Sequence, residues 1–268
     1  MGAELRRLRQ EAGLVMGHVA RRAGWNESKL SRLETGVTPI KPDQVAVLAD
    51  ILQLTPVTRM RLERGLGIER EPDRWWVKYA EVLSRDYEEL ILLEAQATAL
   101  EVASTLIPGY MQAAGYARAT IMKSAFVPDP DDAEMLLEVR LQRARIITAC
   151  TATVSATLSE AVLSTNFCGR VALQEQLQHL LDLSRLENVC LRIVPSDALA
   201  RPYLGAVTVL ELPAPETPVA HAEWDSGSQM IRDERTVRRH RRNLGYQRSV
   251  ALSQDESQRL IQSRLDAL

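Results

Sequence analysis

The 268-residue sequence predicts an α+β fold: a small all-α domain precedes a larger domain of helices and an antiparallel or mixed sheet with flanking helices. Apolar residues recur at helical spacing through the first fifty residues, whereas residues 151–158 alternate as a strand does. A polar stretch with a proline, residues 69–73, separates the two patterns. We therefore expect one domain over residues 1–68 and a second over residues 74–268.

The composition excludes several classes of protein. No apolar run approaches the length of a membrane span, and the charged N-terminus argues against a signal peptide. The three cysteines include no CxxC pair, which favours reduced core cysteines in a cytosolic protein. The net charge of −2 is nearly neutral, so nucleic-acid binding would require a local positive patch.

The N-terminal residues have the spacing of four short helices. Leu5 and Leu8 form the apolar stripe of the first helix. Asn26 is a good N-cap for the third helix. The other signals are Gly13, Gly24 and Gly36 as helix stops or turns, Leu14, Val19, Ala20, Leu30 and Leu33 as inward positions, and Asp43 as the cap of the fourth helix. This order of elements predicts a helix-turn-helix.

Three segments, Gly13-Leu14, residues 19–24 and residues 31–36, resemble the XRE-type, phage-repressor-like helix-turn-helix family. The resemblance covers residues 2–54 and implies a DNA-binding transcription regulator. In such folds the third helix enters the major groove of double-stranded DNA. The resemblance therefore implies a chain that lies in the cytoplasm and associates with the nucleoid when bound to DNA.

Carried over by position, the resemblance implies that Glu27, Ser28 and Arg32 face the bases. An arginine can pair bidentately with guanine, and a glutamate can accept a hydrogen bond from the amino group of cytosine. Lys29 would lie nearer to phosphate, and Ser31, like Ser28, would reach either phosphate or base. These residues are the candidate reading positions, with Arg32 the first choice.

Other polar residues of this block have more than one interpretation. The resemblance implies that Arg9 and Glu34 form a structural ion pair between the first helix and the reading helix. Arg22 suits a phosphate contact and a solvated surface equally well. Val15 and Met16 stand where the family usually has a Ser or Thr cap and a phosphate-anchoring Gln, so a cap worth about 1 kcal/mol is lost.

The second domain combines helical and strand patterns. Strands are predicted at residues 151–158, 189–194, 206–212 and 219–224, and helices at residues 87–106, 110–123, 134–147, 173–186, 233–252 and 255–268. Helices flanking such a sheet give the α+β class.

Landmarks along this domain resemble the large C-terminal domain of actinobacterial WhiJ-like or Scr1-like regulators. They are Trp75-Trp76, residues 93–97, 106–112, 116–119 and 176–181, Glu160-Ala161, Val194-Pro195 and residues 251–253 with Ser257. The resemblance implies an antitoxin-like regulator encoded beside a small partner protein. It implies no established chemistry for this domain.

The second domain offers few candidate catalytic or metal-binding residues. His221, Glu223 and Asp225 alternate on a predicted strand, but a two-histidine, one-carboxylate metal site needs a further histidine. Glu160 is a candidate acid, and a capping or hydrogen-bonding role suits it better. No phosphate-binding loop, dinucleotide motif or nucleophile elbow is present. We expect no catalytic residue, metal or cofactor, and hence no enzyme.

Two further features leave alternatives open. The basic run at residues 235–242 suits either an outer DNA contact or, preferably, the solvated side of a helix. Trp75, Trp76, Tyr110 and Tyr116 are a candidate ligand or partner surface, although packing in the core or between protomers explains them more simply.

Two function hypotheses follow. The first is a regulator that binds a pseudo-palindromic operator as a homodimer, because one helix-turn-helix reads only a few bases. Its second domain would dimerise and receive a signal from a protein or a small molecule. The alternative is an antitoxin-like interaction module that holds a small protein from an adjacent gene and contacts DNA mainly as a complex.

Overall fold

The computed structural model describes residues 2–54, 62, 75–124, 129–149, 152–198, 205–214, 216–224 and 227–268. The chain divides into two compact units, Met1–Glu71 and Pro72–Leu268, here called the N-terminal and C-terminal units. The expected linker at residues 69–73 lies outside the described residues. Among the described residues, no helix is both long enough and apolar enough to span a bilayer.

The N-terminal unit is all-α. Its helices are α1 (Gly2–Glu11), α2 (Met16–Arg22), α3 (Glu27–Glu34) and α4 (Pro42–Ile51). They surround one apolar core to which all four contribute, including Leu5, Val19, Leu30, Leu33 and Leu48. The expected inward positions Leu5, Leu8, Val19, Ala20, Leu30 and Leu33 are therefore confirmed, whereas Leu14 is half-buried and precedes α2.

Local signals set the turns of this unit. Gly24 and Gly36 adopt φ values of +69° and +74°, a left-handed conformation in which residues with a β-carbon are strained. The Asn26 side chain caps α3 by accepting a hydrogen bond of 2.8 Å from the backbone nitrogen of Lys29. The expected cap at Asp43 is wrong, because α4 begins at Pro42 and its N-cap residue is Lys41.

The C-terminal unit is a mixed sheet with helices on both faces. Its elements are a 3-10 helix (Trp75–Tyr79), α5 (Arg85–Gln96), β1 (Ala99–Ser104), a 3-10 helix (Gly109–Met111), α6 (Ala114–Met122), α7 (Pro130–Arg143), α8 (Arg145–Thr148), β2 (Thr153–Ser159), a 3-10 helix (Glu160–Leu163), α9 (Arg170–Ser184), β3 (Val189–Val194), β4 (Ala206–Glu211), β5 (Val219–Trp224), β6 (Gly227–Ile231), α10 (Glu234–Val250) and α11 (Gln254–Asp266).

The described strands form one sheet in the order β3-β2-β1-β4-β5-β6. Strands β1, β2 and β3 run parallel, with Ala99 opposite Thr153 and Val154 opposite Val189. Strands β4, β5 and β6 continue the sheet from β1 in antiparallel pairs. The predicted α+β class with a mixed sheet is therefore confirmed.

Apolar side chains cover both faces of this sheet. On one face, Val237 and Leu244 of α10 pack against Ala103, Val209 and Ala220. The opposite face forms the main core, which includes Leu100, Val102, Ala156, Leu158 and Leu191 of the strands and Leu173, Leu177 and Leu180 of α9. In β2, Val154, Ala156 and Leu158 alternate with polar residues and face this main core, as the pattern of a strand requires.

Several elements differ from the prediction. The helix expected over residues 134–147 is divided into α7 and α8, and the one expected over residues 110–123 begins as a 3-10 helix before α6. The expected helix over residues 87–106 ends at Gln96, and residues 99–104 form the central strand β1. Periodicity alone does not distinguish a doubly buried strand from a buried helical segment, which explains the error. Strand β6 was not predicted, because it has only five residues and begins with Gly227, Ser228 and Gln229, which lack a strand pattern.

Candidate nucleic-acid interface

Helix α3 presents an outward polar side. Leu30 and Leu33 bury the inner side of the helix in the core of the N-terminal unit. Glu27, Ser28 and Arg32 are exposed on the outer side. A short helix with one buried apolar stripe and an exposed polar side has the surface that a reading helix needs.

An ion pair connects α1 to the end of α3. The Arg9 Nε donates to Glu34 Oε1 at 2.6 Å, and Nη2 donates to Oε2 at 2.9 Å. The third contact of Arg9 is from Nη1 to the carbonyl oxygen of Leu14, at 2.9 Å. Both side chains are buried, and the hydrogen bond to Glu34 raises the pKa of Arg9 above the ordinary value of an arginine. This bidentate pair fixes the orientation of α3 against α1 and the α1–α2 turn.

A close backbone contact lies beside the ion pair. A β-carbon at Gly2 would lie 2.5 Å from the carbonyl oxygen of Leu33 and 2.6 Å from that of Glu34. The start of α1 therefore approaches the end of α3 at a distance that only glycine allows. Two independent contacts thus connect α1 with the end of α3, one from each end of α1.

The basic residues of α3 make intramolecular contacts. The Lys29 Nζ lies 4.3 Å from the centre of the Trp25 ring, so that half-buried lysine rests on an aromatic ring. The Arg32 Nε donates to the Ser28 carbonyl oxygen at 3.2 Å, while the side chain stays exposed. Neither contact is a buried ion pair, so both cations can turn toward an anionic ligand.

Glu27 lies against the start of α2. A β-carbon at Gly17 would lie 2.6 Å from Glu27 Oε1, so glycine makes room for this carboxylate. Val15 is the N-cap residue of α2 and makes no side-chain capping bond. A carboxylate beside the first turn of a helix is favourable because of the helix dipole. The sequence patterns gave no signal for this contact, since its residues belong to two helices.

The two remaining candidates differ in exposure. Arg22 is exposed in the last turn of α2. Ser31 is half-buried, and its carbonyl oxygen accepts a hydrogen bond of 2.8 Å from Thr35 Oγ1. Arg22 is therefore more accessible to a ligand than Ser31.

The aromatic residues considered as a surface lie mainly inside the C-terminal unit. Trp76 packs with Tyr79, Leu83, Ile91 and Val139, and half-buried Trp75 lies at the side of that cluster. Tyr110 and Tyr116 are buried in the main core, where Tyr116 contacts Phe167 edge to face. Core packing, the alternative considered from the sequence, describes their position.

A buried ion pair also lies inside the C-terminal unit. Arg143 on α7 donates to both carboxylate oxygens of Glu94 on α5, at 2.6 and 2.8 Å. Its third contact is a donation to the Tyr87 hydroxyl at 2.6 Å. The attraction of Glu94 and Tyr87 outweighs burial and raises the pKa of Arg143. The landmark segment 93–97 thus contains a residue that connects two helices.

Two landmark glutamines bind backbone. Gln176, which is fully buried, accepts from the Ala113 nitrogen at 2.7 Å and donates to the Met111 carbonyl at 2.9 Å. Gln112 donates to the Ile107 carbonyl at 2.7 Å and accepts from Arg140 at 3.0 Å. These landmarks therefore hold the segment before α6 in place.

Glu160 also connects separate segments. It accepts from the Ser196 nitrogen at 2.8 Å and from Arg264 at 2.7 Å, and both bonds lower the pKa of its carboxyl group. The Ser257 hydroxyl is likewise used within the chain: it donates to the Ser253 carbonyl oxygen at 2.8 Å and accepts from the Ile193 nitrogen at 2.9 Å. The hydrogen-bonding role preferred for Glu160 from the sequence matches these contacts.

His221 and Glu223 lie on β5, and Asp225 lies outside the described residues. Burial lowers the pKa of His221, while the carboxylate of Glu223 opposes the shift. Within the described part of the chain, no three His, Cys, Asp or Glu side chains are grouped closely enough to hold a metal ion.

The basic run on α10 is partly neutralised by acidic neighbours. Arg238 pairs with Glu234 at 2.9 Å, and Arg241 pairs with Glu211. All four side chains are exposed. These contacts agree with the preferred interpretation of the run as a solvated side of a helix.

Comparison with known proteins supplies the class and the family. Residues 1–62 match the model of a helix-turn-helix domain, so the chain is a helix-turn-helix protein of the DNA-binding regulator class. Residues 87–263 match the model described as a domain of unknown function (DUF5753). Because this match covers more than half of the chain, the protein belongs to the DUF5753 family.

The other comparisons add no relative. No curated protein and no solved structure matches the chain. Neither matching family is named as that of the XRE-type or of the WhiJ-like and Scr1-like regulators. That finer resemblance therefore stays a prediction.

Proposed function

We propose that the chain is a sequence-specific transcriptional regulator of the XRE type, which binds a pseudo-palindromic operator as a homodimer. The observation that carries this proposal is the exposed side of α3, with Ser28 and Arg32 outward, on a helix fixed by the Arg9–Glu34 ion pair. A reading helix must hold its side chains in register with the base pairs. A buried bidentate pair supplies that rigidity.

The residues divide into reading and positioning roles. Arg32 would pair with a guanine in the major groove, and Ser28 would contact a neighbouring base. Glu27 would accept from a cytosine only after leaving Gly17, against which it lies in the free protein. Lys29, Arg22 and the less accessible Ser31 would contact phosphate, which positions the helix without reading sequence.

The C-terminal unit would dimerise and receive the signal. An open cleft of about 550 Å³ in this unit is lined by residues that include Glu101, Asn188, Arg248 and Gln254. An ion pair of 3.0 Å joins Arg248 to Glu101 in that lining. A cleft with charged and amide groups suits a small polar signal molecule, with a partner protein as the other candidate.

The test uses the purified full chain and an operator selected from a random DNA pool. We expect Arg32→Ala to weaken specific binding about 5- to 150-fold, since one bidentate base contact contributes about 1–3 kcal/mol. Arg170→Ala, at an exposed arginine of α9, is the matched control and should bind as the parent chain does. Affinity should also fall steeply as salt rises. Unchanged specific binding by Arg32→Ala would contradict the placement of the reading helix.

A second candidate function is favoured by the start of α2. Val15 provides no cap there, and Met16 replaces the usual phosphate anchor, so DNA affinity of the chain alone would be reduced. The chain would then act as an antitoxin-like module that holds a small protein and binds DNA mainly as a complex. A mobility-shift assay with and without the product of an adjacent gene separates the two. Tight binding by the chain alone favours the first proposal.

A further inference from the structure

The two edge strands of the sheet, β3 and β6, differ in the partners of their outer backbone groups. At the β3 edge, the Ile193 carbonyl oxygen accepts from the Leu252 nitrogen at 2.9 Å, and the Ile193 nitrogen donates to Ser257 Oγ at 2.9 Å. At the other edge, β6 pairs with β5, and no described residue pairs with its outer side. Residues 252–257 close one edge, whereas the backbone groups on the outer side of the other edge have no partner among the described residues.

The five residues of β6 themselves carry none of the side chains that usually block an exposed edge, although α5 contacts the strand and its Glu89 pairs with Arg232, directly after β6. Its five residues, Gly227–Ile231, include no charged side chain and no proline. Its first three residues are exposed. Natural edge strands are normally protected by lysine, proline, a bulge or a covering element, because unpaired backbone groups recruit other strands. A neutral, exposed edge strand of this kind therefore has the properties of a strand that pairs with a further strand.

From these observations we propose that β6 is the dimer interface, where it pairs antiparallel with β6 of a second copy of the chain. The inference rests on the proposed homodimeric regulator and assigns its interface. Gln229 is the middle residue of the strand, so a two-fold axis beside it pairs all five residues. Gln229 then lies opposite the partner's Gln229, Ser228 opposite the partner's Met230, and Gly227 opposite the partner's Ile231. Such an interface is self-complementary, as two-fold symmetry requires.

The side chains at this edge suit the same occupant. Trp224 is 48% exposed, and its ring lies 3.7 Å from the position of a β-carbon on Gly227, its cross-strand partner. Directly paired residues share a face of the sheet. The partner's Ile231, opposite Gly227, would therefore lie beside the Trp224 ring and cover it. Two glutamine side chains at the axis can exchange amide hydrogen bonds, and no like charges lie opposite each other.

A foreign peptide strand is the competing occupant, and the two-fold symmetry of the proposed operator favours a second copy of the chain instead. Two reading helices on a two-fold site require a two-fold protein. Pairing of β6 with its own copy supplies that symmetry and joins the two sheets into one. A peptide from another protein would leave the regulator without a symmetric partner.

The first test measures the mass of the full chain by analytical ultracentrifugation across a concentration series. We expect a dimer for the parent chain. Gln229→Lys places two like charges opposite each other at the axis, and should raise the dimer dissociation constant about tenfold or more. Gln262→Lys, at an exposed glutamine of α11, is the matched control and should keep the parent mass. Circular dichroism should show that both variants stay folded.

The second test traps the register. In a background with Cys150, Cys168 and Cys190 replaced by alanine, Gln229→Cys should form an intermolecular disulfide under mild oxidation. Ser228→Cys should not, because two copies of residue 228 would lie beyond the roughly 7 Å Cα separation that a disulfide allows. The two variants differ by one position on the same strand, so exposure alone does not explain a difference.

The outcomes separate this inference from the proposed function. A parent chain that stays monomeric, or a dimer that resists Gln229→Lys and gives no disulfide at position 229, overturns the β6 interface. If that dimer still binds operator DNA, the regulator proposal stands. A dimer that dissociates with Gln229→Lys but never binds DNA supports the interface and overturns the regulator.

Discussion

Arg9 and Glu34 lie twenty-five positions apart in the sequence and form a buried bidentate ion pair between the last turns of α1 and α3. Both carboxylate oxygens of Glu34 are occupied by this guanidinium. The remaining donor, Nη1, holds the Leu14 carbonyl in the α1–α2 turn. One arginine therefore connects α3 with α1 and with that turn.

Replacement of Glu34 by alanine should destabilise the N-terminal unit by about 3–5 kcal/mol, because it leaves the Arg9 charge buried without a partner. We expect DNA binding to be lost together with the helical signal of this unit. Urea unfolding followed by circular dichroism measures the loss. The matched control is Glu11→Ala, which removes an exposed partner of Arg7 on α1. Equal effects of the two variants would contradict a special role for the Arg9–Glu34 pair.

Replacement of Val15 by serine should stabilise the N-terminal unit by about 0.5–1 kcal/mol. Val15 has φ and ψ values of −81° and 152°, the extended geometry of an N-cap residue, and makes no capping bond. A serine hydroxyl there can accept from the backbone of the first turn of α2. The change in the thermal midpoint of this unit measures the effect.

Val37→Ser is the matched control for that substitution. Val15 and Val37 are 69% and 72% exposed, so both variants remove a similar exposed apolar side chain. Val37 lies in the turn after α3 and caps no helix. A stabilisation of equal size at both positions would show that the loss of an exposed apolar side chain, and not capping, causes the gain.

Replacement of Glu94 by alanine should destabilise the C-terminal unit by about 3–5 kcal/mol. Arg143 is buried, and without Glu94 it keeps its contacts with the hydroxyl and the ring of Tyr87 but no carboxylate partner among the described hydrogen bonds. Differential scanning calorimetry of the full chain measures the shift, which should appear in the transition of this unit. Glu134→Ala removes the exposed partner of Arg118 and is the control, with little expected change.

The stability of the C-terminal unit should fall as the pH drops from about 7 to 5. Burial lowers the pKa of His221 in the folded state, so the unfolded state binds more protons in this range. The stabilising contribution is fully present above the unfolded pKa of about 6.5 and is lost as the pH falls toward the folded pKa. Urea midpoints at a series of pH values measure the slope.

His221→Gln should reduce that slope by up to about 1.4 kcal/mol per pH unit, the value for one proton. His179 and His240 also have pKa values lowered by burial, so part of the pH dependence should remain. His18→Gln changes an exposed histidine of the N-terminal unit and is the control. An unchanged slope in His221→Gln would place the pH dependence elsewhere.

Local patterns predicted the elements whose determinants are close in the sequence. Asn26 caps α3 and Gly36 follows its end, because both effects depend on a few neighbouring residues. Strand β3 begins and ends where alternation predicted it, at Val189 and Val194. Strand β1 was taken for helix, because a segment buried on both faces loses the alternation that identifies a strand.

The sequence likewise predicted only part of the candidate nucleic-acid interface. The sequence placed Ser28 and Arg32 on one helix, and helical spacing alone puts them on the same side, away from Leu30 and Leu33. It contained no signal that Glu27 lies against Gly17, since that contact depends on how α2 crosses α3. Nor did it show that β6 occupies an edge, because strand order is a property of the assembled sheet.

The sequence by itself determined the α+β class, the four-helix layout of the N-terminal unit and the outward side of its reading helix. These depend on capping, glycine conformations and apolar spacing, which act over one or two helical turns. Tertiary structure decided that Glu94 and Arg143 meet, that the β3 edge is closed at Ile193 and that β6 is the other edge strand among the described residues. Buried ion pairs and strand edges join residues far apart in the chain, and their energies arise only when packing removes water around them.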